Sequence, residues 1–240
     1  NINMGCGSTH IEKLCQLVKE QHLDMGFAFD GDADRCIAVD ENGNVVDGDG
    51  MIYILSQRLM ERGILNGDTV VTTVMSNSGL VASLKELGIR NVQTKVGDRF
   101  VYENMRENGH YIGGEQSGHV IMTDYCTTGD GEMTAVQILS MIKAKGMKAS
   151  QISEIISSFP QVMINVEVRN DLKKTVGASD EVKAIEAEIR QLFGDSGRIL
   201  IRPSGTEAKV RVMVEGKDLE LVTAMARKAA DVIKALAQKA

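Results

Sequence analysis

Three aspartates that alternate with small residues, directly after an apolar run, constrain this chain more than any other feature. The string is Phe27-Ala28-Phe29-Asp30-Gly31-Asp32-Ala33-Asp34-Arg35. A short apolar segment of this kind reads as a buried strand. If the backbone stays extended beyond it, alternate side chains point the same way, and Asp30, Asp32 and Asp34 converge on one face. Carboxylates that close repel unless protons or a cation intervene. A hard divalent cation held by carboxylate oxygens is the economical answer. Arg35 adds a planar cationic fork suited to phosphate. A metal beside an anion-binding arginine points to phosphoryl chemistry.

Two other readings compete for the same residues. Asp30, Asp32, Asp34 and Glu41 stand at the first, third, fifth and twelfth positions of a calcium loop of the EF-hand type. That loop needs glycine where Arg35 stands, and helices on both sides. A phosphatase could use the first aspartate of an Asp-x-Asp pair as its nucleophile. It requires a downstream lysine and an acidic loop, which the sequence neither supplies clearly nor excludes.

Strand and helix alternate after the aspartates, which implies a layered α/β domain. Residues 9–20 read as a helix, 26–29 and 36–39 as strands, and 41–44 as a hairpin turn around Asn42-Gly43. A helix is expected from Asp49 or Gly50 to Arg62, then strand 69–74 and a helix capped by Ser78. Strand 91–96 follows, then a helix capped by Asp98, strands at 111–113 and 119–122, and a long helix over 130–145. A short helix from Ser150 and then Pro160 mark a domain boundary. Beyond it, strands at 162–168, 198–201 and 209–214 and helices at 179–193 and 218–238 make a small α+β unit. Its sheet is open and antiparallel, backed by two helices.

Two further strings carry chemistry. In Gly113-Gly114-Glu115-Gln116-Ser117-Gly118-His119 the glycines allow close backbone approach. Extended backbone would put Glu115, Ser117 and His119 on one face, suited to a polyhydroxylated ligand with a proton carrier at hand. In Arg202-Pro203-Ser204-Gly205-Thr206-Glu207 a tight loop exposes N–H groups and hydroxyls that can cradle an anion, with Arg202 binding it bidentately. Lys209 and Arg211 follow closely. A plain turn with solvated arginines fits that last string equally well. Lys95-Val96-Gly97-Asp98-Arg99 stands at a strand-to-helix junction, where helix N–H groups favour anions.

The net charge of −6 argues against a nucleic-acid partner. No apolar run is long enough to span a bilayer and no signal-peptide pattern occurs, so no membrane partner is expected. Cys6, Cys15, Cys36 and Cys126 show neither paired nor dense spacing, which fits reduced thiols in a cytoplasm. The start at Asn1-Ile2-Asn3 reads as lying inside a larger protein.

The three strings, in this order and over essentially the whole chain, resemble the α-D-phosphohexomutase superfamily. Cys6-Gly7-Ser8-Thr9-His10, Gln116 and Lys95-Val96-Gly97-Asp98-Arg99 resemble its branch that acts on amino-sugar phosphates. Ile11 and Ala208 depart from that branch, which usually has proline there. The resemblance implies part of a metal-binding domain 2 at residues 1–47, a sugar-binding domain 3 at 48–157 and a phosphate-binding domain 4 at 158–240. It implies Mg²⁺ on Asp30, Asp32 and Asp34, with Arg35 and His119 as catalytic groups. It implies sugar contacts from Glu115, Ser117, Gly97, Asp98 and Arg99, and phosphate contacts from Arg202, Ser204, Gly205, Thr206 and Arg211. The implied reaction interconverts glucosamine 6-phosphate and glucosamine 1-phosphate through a bisphosphorylated sugar. The family's catalytic phosphoserine lies in a Ser-His-Asn string, absent from this sequence, so a preceding domain is the expected partner that supplies it. The oligomeric state stays open at this point, with a homodimer as one reading. Glucose or mannose phosphate as substrate, or a non-catalytic sugar-phosphate binding module, are the rival readings.

Overall fold

The computed structural model describes residues 2–155, 158–205 and 207–239. The chain forms two compact units, Asn1–Ser157 and Ser158–Ala240.

The first unit opens with helix α1 (Glu12–Glu20) and an antiparallel hairpin, β1 (Met25–Phe29) and β2 (Cys36–Asp40), extended by β3 (Val45–Val46). Helix α1 begins three residues later than the sequence predicts. Ile11 sits at its N-cap without a side-chain hydrogen bond, so nothing holds an earlier turn. Asp40 carries the hairpin turn, its carboxylate accepting the N–H groups of Asn42 and Asn44. Strands on both sides of residues 30–35 remove the calcium-loop reading.

Helix α2 (Gly48–Glu61) leads into a second sheet. Its strands are β4 (Thr69–Thr73), β5 (Arg90–Thr94), β6 (Ile112–Gly114) and β7 (Val120–Met122), ordered β5-β4-β6-β7. Strand β4 pairs parallel with β5 and with β6, and α3 (Ser78–Glu86) and α4 (Asp98–Asn108) make the crossovers. Only β6 and β7 run antiparallel. Every residue of β4 is buried because both faces are covered. Val70 joins the main core with Met51, Leu80, Ile112 and Ile138, while Val71 packs with Val101 and Met105 under α4. Helix α5 (Gly131–Lys145) and the short α6 (Ser150–Ile155) close the unit. Its main core also takes Cys36 and Ala38 of β2, so both sheets share one apolar interior.

Two caps fall one residue earlier than predicted. Asn77, not Ser78, caps α3, its side chain accepting from Gly79 N. Gly97, not Asp98, occupies the N-cap of α4, with φ +130°. In each case the polar neighbour already has helical backbone, so it cannot fold back onto the first turn.

The second unit carries β8 (Gln161–Glu167), α7 (Lys173–Gly177), α8 (Asp180–Phe193), β9 (Gly197–Pro203), β10 (Lys209–Gly216) and α9 (Leu219–Lys239). The sheet is open, antiparallel and ordered β8-β10-β9. Val210, Val212 and Val214 of β10 face Ile185, Ile189, Ala226 and Ile233 of α8 and α9. Each such buried aliphatic side chain contributes about 1.5–3 kcal/mol. Alternation puts Lys209, Arg211 and Glu215 on the other face. The five-residue α7 was not predicted, being too short for apolar periodicity to reveal.

Candidate functional site

The aspartate string lies in the loop from β1 to β2. Carboxylate oxygens of Asp30, Asp32 and Asp34 lie within 4.8 Å of one another. Their convergence comes from a turn, not from the extended backbone that the alternation suggested. Ala33 N donates to Asp30 O at 3.2 Å, and Ala33 has φ +58°, in the left-handed region. That conformation costs a non-glycine residue about 1–2 kcal/mol. It is held because Ala33 O accepts Gly131 N at 2.9 Å.

Asp34 Oδ1 is buried and accepts no hydrogen bond, with Arg35 Nε 3.9 Å away. Burial, followed by the neighbouring Asp30, holds the Asp34 carboxyl above the usual aspartate range, and His119 pulls it partly back. Arg35 also bonds Asp30 through its backbone N–H at 3.1 Å, while its guanidinium is partly exposed. Three oxygen ligands, one of them unsatisfied, suit a hard divalent cation.

Beside the loop is a cleft of about 420 Å³. Arg35, Glu115, Gln116 and Ser117 line it, as do Ser8 and Thr9 from the chain start and Thr73 at the end of β4. The sugar-binding expectation had not included Ser8, Thr9 or Thr73: the string around Ser8 and Thr9 was read only as a mark of the branch, and nothing local marks Thr73. Glu115 Oε1 accepts Gly97 N at 3.0 Å, so the β6–β7 turn and the start of α4 meet there.

The segment Glu115-Gln116-Ser117-Gly118 is a tight turn, with Gly118 N on Glu115 O at 3.0 Å and Glu115 N on His119 O at 2.9 Å. The shared face expected for Glu115, Ser117 and His119 is therefore absent. Glu115 and Ser117 line the cleft, whereas His119 turns inward and is buried. Its Nδ1 lies 3.1 Å from Asp34 Oδ2, and its Nε2 accepts Gly129 N at 3.0 Å. That pair of bonds places the proton on Nδ1, where it donates to Asp34. Both ring nitrogens are thus engaged inside the protein.

Two glycines let these segments touch. Gly118 has φ +95°, and its Cα packs against the Cys36 carbonyl at the start of β2. A Cβ on Gly131 would stand 2.8 Å from Arg35 O and 2.9 Å from Ala33 O. The Thr128-Gly129-Asp130-Gly131 string, read from sequence as a helix start, therefore also clasps the aspartate loop. Asp130 still caps α5 by accepting Met133 N at 2.8 Å.

Asp98 and Arg99 are exposed at the start of α4, and Arg99 pairs with Glu103 of its own helix at 2.7 Å. Neither lines the cleft. Among the described residues the three aspartates are the only group of three or more carboxylate, imidazole or thiol side chains placed to share a cation. None of the four cysteines forms a disulfide among the described residues, and burial pushes the Cys36 thiol up to about 12. None of the described helices is long and apolar enough to cross a membrane. A larger cleft of about 620 Å³ opens at the other end of β1, beside Leu23, Glu41 and Met147, and holds none of the three strings.

In the second unit Arg202 and Arg211 stand directly opposite on neighbouring strands. Like charges so placed repel. Glu207 offsets part of this, its Oε2 accepting from Arg211 at 2.7 Å and its Oε1 from Lys209 at 2.9 Å. Arg202 forms no ion pair among the described residues, and Arg211 Nε is buried without a hydrogen bond. Ser204 is buried, and its Oγ accepts Glu207 N at 3.1 Å. Gly205 is exposed beside it, and Thr206 lies outside the described residues.

Known proteins resemble this chain in sequence and fold. Three models of the phosphoglucomutase/phosphomannomutase family match: α/β/α domain II over residues 6–43, α/β/α domain III over 47–159 and the C-terminal domain over 163–232. A phosphoglucosamine mutase of Thermoanaerobacter sp. (strain X514) is 53% identical over 97% of this chain and 52% of its own length. That of Acetivibrio thermocellus is 48% identical over 100% of this chain and 53% of its own. The chain thus spans about half the length of the curated relatives it matches. Among solved structures, N-acetylphosphoglucosamine mutase of Aspergillus fumigatus, in complex with GlcNAc-6P and magnesium, has a TM-score of 0.77 at 18% identity, covering 98% of this chain and 54% of that one. A phosphoglucomutase/phosphomannomutase family protein of Burkholderia thailandensis has a TM-score of 0.76 at 21% identity, covering 95% and 50%. With domain models in sequence order along nearly its whole length, the chain belongs to the phosphoglucomutase/phosphomannomutase family of the α-D-phosphohexomutase superfamily.

Proposed function

We propose that the full-length protein is a phosphoglucosamine mutase, interconverting glucosamine 6-phosphate and glucosamine 1-phosphate through a bisphosphorylated sugar. The observation that carries this reading is the carboxylate triad beside a cleft lined by Arg35, Glu115 and Ser117. The similarity to phosphoglucosamine mutases at about half identity supports the amino sugar.

In this reading residues 1–47, 48–157 and 158–240 are the metal, sugar and phosphate parts, and a preceding domain supplies the phosphoserine. Asp30, Asp32 and Asp34 hold Mg²⁺, which when bound offsets charge on the phosphoryl group in transfer. Arg35 steadies that phosphoryl group. Glu115 and Ser117 grip sugar hydroxyls, and Gly97 fixes Glu115 by donating to its carboxylate. Arg202, Ser204, Gly205, Thr206 and Arg211 bind the phosphate not being transferred, and that anion relieves the repulsion between the two arginines. His119 is assigned a different part from the expected proton carrier. Its two internal bonds suit it to orienting Asp34. Asp98 and Arg99, exposed at the start of α4 outside the cleft, keep their assignment to the substrate as outer contacts.

Asp32→Asn tests the reading. Asp32 is exposed and makes no side-chain hydrogen bond among the described residues, so the fold is expected to persist. Mutase turnover in the full-length protein should fall at least about 100-fold, since one of three charges on the cation is lost. A variant that keeps near-normal turnover and magnesium affinity would remove the metal role.

A further inference from the structure

Asp47 grips the cleft wall without lining it. Its Oδ1 accepts Gly50 N at 3.1 Å, capping α2, and its Oδ2 accepts Gln116 Nε2 at 3.1 Å. The next residue holds the same turn, with Gly48 N on Gln116 O at 3.0 Å. A Cβ on Gly48 would collide with the Glu115 carbonyl, so the α2 terminus is pressed against the turn. Gln116 is therefore fixed by both its main chain and its side chain.

The polarity of the bond matters more than its strength. An ionised carboxylate only accepts, so the Gln116 amide must turn its nitrogen to Asp47. The amide oxygen is then left on the other side. Gln116 lines the cleft, and Oε1 takes no hydrogen bond among the described residues. The geometry points to Asp47 as a positioning residue that turns the Gln116 oxygen toward the substrate, where it selects a charged donor such as an ammonium group over the neutral O–H of a hydroxyl. This rests on the phosphoglucosamine mutase reading and supplies that reading with a source of discrimination. A carbonyl oxygen gains more from a charged donor than from a neutral one.

Asp47→Asn tests the idea with little risk to the fold, because asparagine caps helices as well as aspartate does. The new side chain keeps its oxygen for Gly50 N and offers an amide N–H₂ to Gln116. The glutamine then inverts and turns its own N–H₂ into the cleft. In the full-length protein the ratio of kcat/KM for glucosamine 6-phosphate to that for glucose 6-phosphate should fall about tenfold or more. Asp47→Asn combined with Gln116→Glu restores an acceptor in the cleft, and the ratio should recover. A ratio unchanged in the single variant, or not recovered in the double, overturns the role of Asp47. Wild-type turnover without preference for the amine overturns it as well. Absence of mutase turnover in the wild type would instead remove the underlying reading, and this inference with it.

Discussion

At the scale of single residues, several side chains are committed twice, and each commitment fixes a neighbour. His119 bridges Asp34 and Gly129, Glu115 reaches Gly97, and Glu41 accepts both the N–H and the hydroxyl of Ser150, at 2.9 and 2.6 Å. Glu41 would have been the twelfth ligand of a calcium loop, yet it anchors the start of α6. Desolvation raises its carboxyl, but the Ser150 hydroxyl and the backbone N–H bonds outweigh this and hold it below the usual glutamate value. A carboxylate lowered on folding contributes stability that is present above its unfolded pKa and lost as pH falls through its folded one. Glu41→Gln should therefore cost about 1 kcal/mol at neutral pH. The gap between variant and wild type should narrow in acid, as pH falls through the unfolded glutamate value and then through the lower folded one. Urea unfolding at neutral and at acid pH checks this, and an equal gap in acid would show that Glu41 acts by shape alone.

At the scale of elements, the aspartate loop is shaped by what packs on it. Gly131 begins α5 with its Cα against the carbonyls of Ala33 and Arg35. Alanine is the better helix former by about 1 kcal/mol, which alone would predict a stabilised α5. The opposing effect is larger, because a methyl less than 3 Å from two backbone oxygens forces the loop to move. Gly131→Ala is thus expected to weaken magnesium binding at least about tenfold, read by calorimetric titration, and to lower thermal stability rather than raise it. A stabilised variant with unchanged affinity would show that the clasp does not shape the metal loop. This contact also marks where sequence reading stops. The apolar run before Asp30 and the Asn42-Gly43 turn were legible because each depends on local spacing. The reasons for Gly118, Gly129 and Gly131 depend on carbonyls and a ring brought up from far along the chain. The inward turn of His119 was hidden likewise, since a tight turn at Gln116-Ser117 breaks the alternation that extended backbone would give. Asn77 and Gly97 were missed as caps because adjacent polar residues look equally suitable until the backbone angles are known.

At the scale of the whole molecule, the chain forms two compact units, and the proposed reading gives each its own task. The first unit carries the carboxylates, the cleft and Arg35, and the second carries the opposed arginines and Ser204. This distribution has a consequence for turnover that does not depend on any single contact. The proposed cycle needs a protein group that accepts and returns the phosphoryl group, and the resemblance assigns that part to a serine in a Ser-His-Asn string. The 240 residues contain no such string. In the proposed reading the carboxylates beside the cleft are taken up by the cation, which leaves them no part as phosphoryl acceptor. The chain of 240 residues alone, given Mg²⁺ and glucosamine 1,6-bisphosphate, should show no steady interconversion of the two monophosphates. The same assay on the full-length protein should show it, and replacing the upstream serine by alanine should abolish it. Sustained turnover by the 240-residue chain would place the phosphoryl acceptor inside the residues described here, and the division of labour between metal, sugar and phosphate parts would have to be redrawn around it.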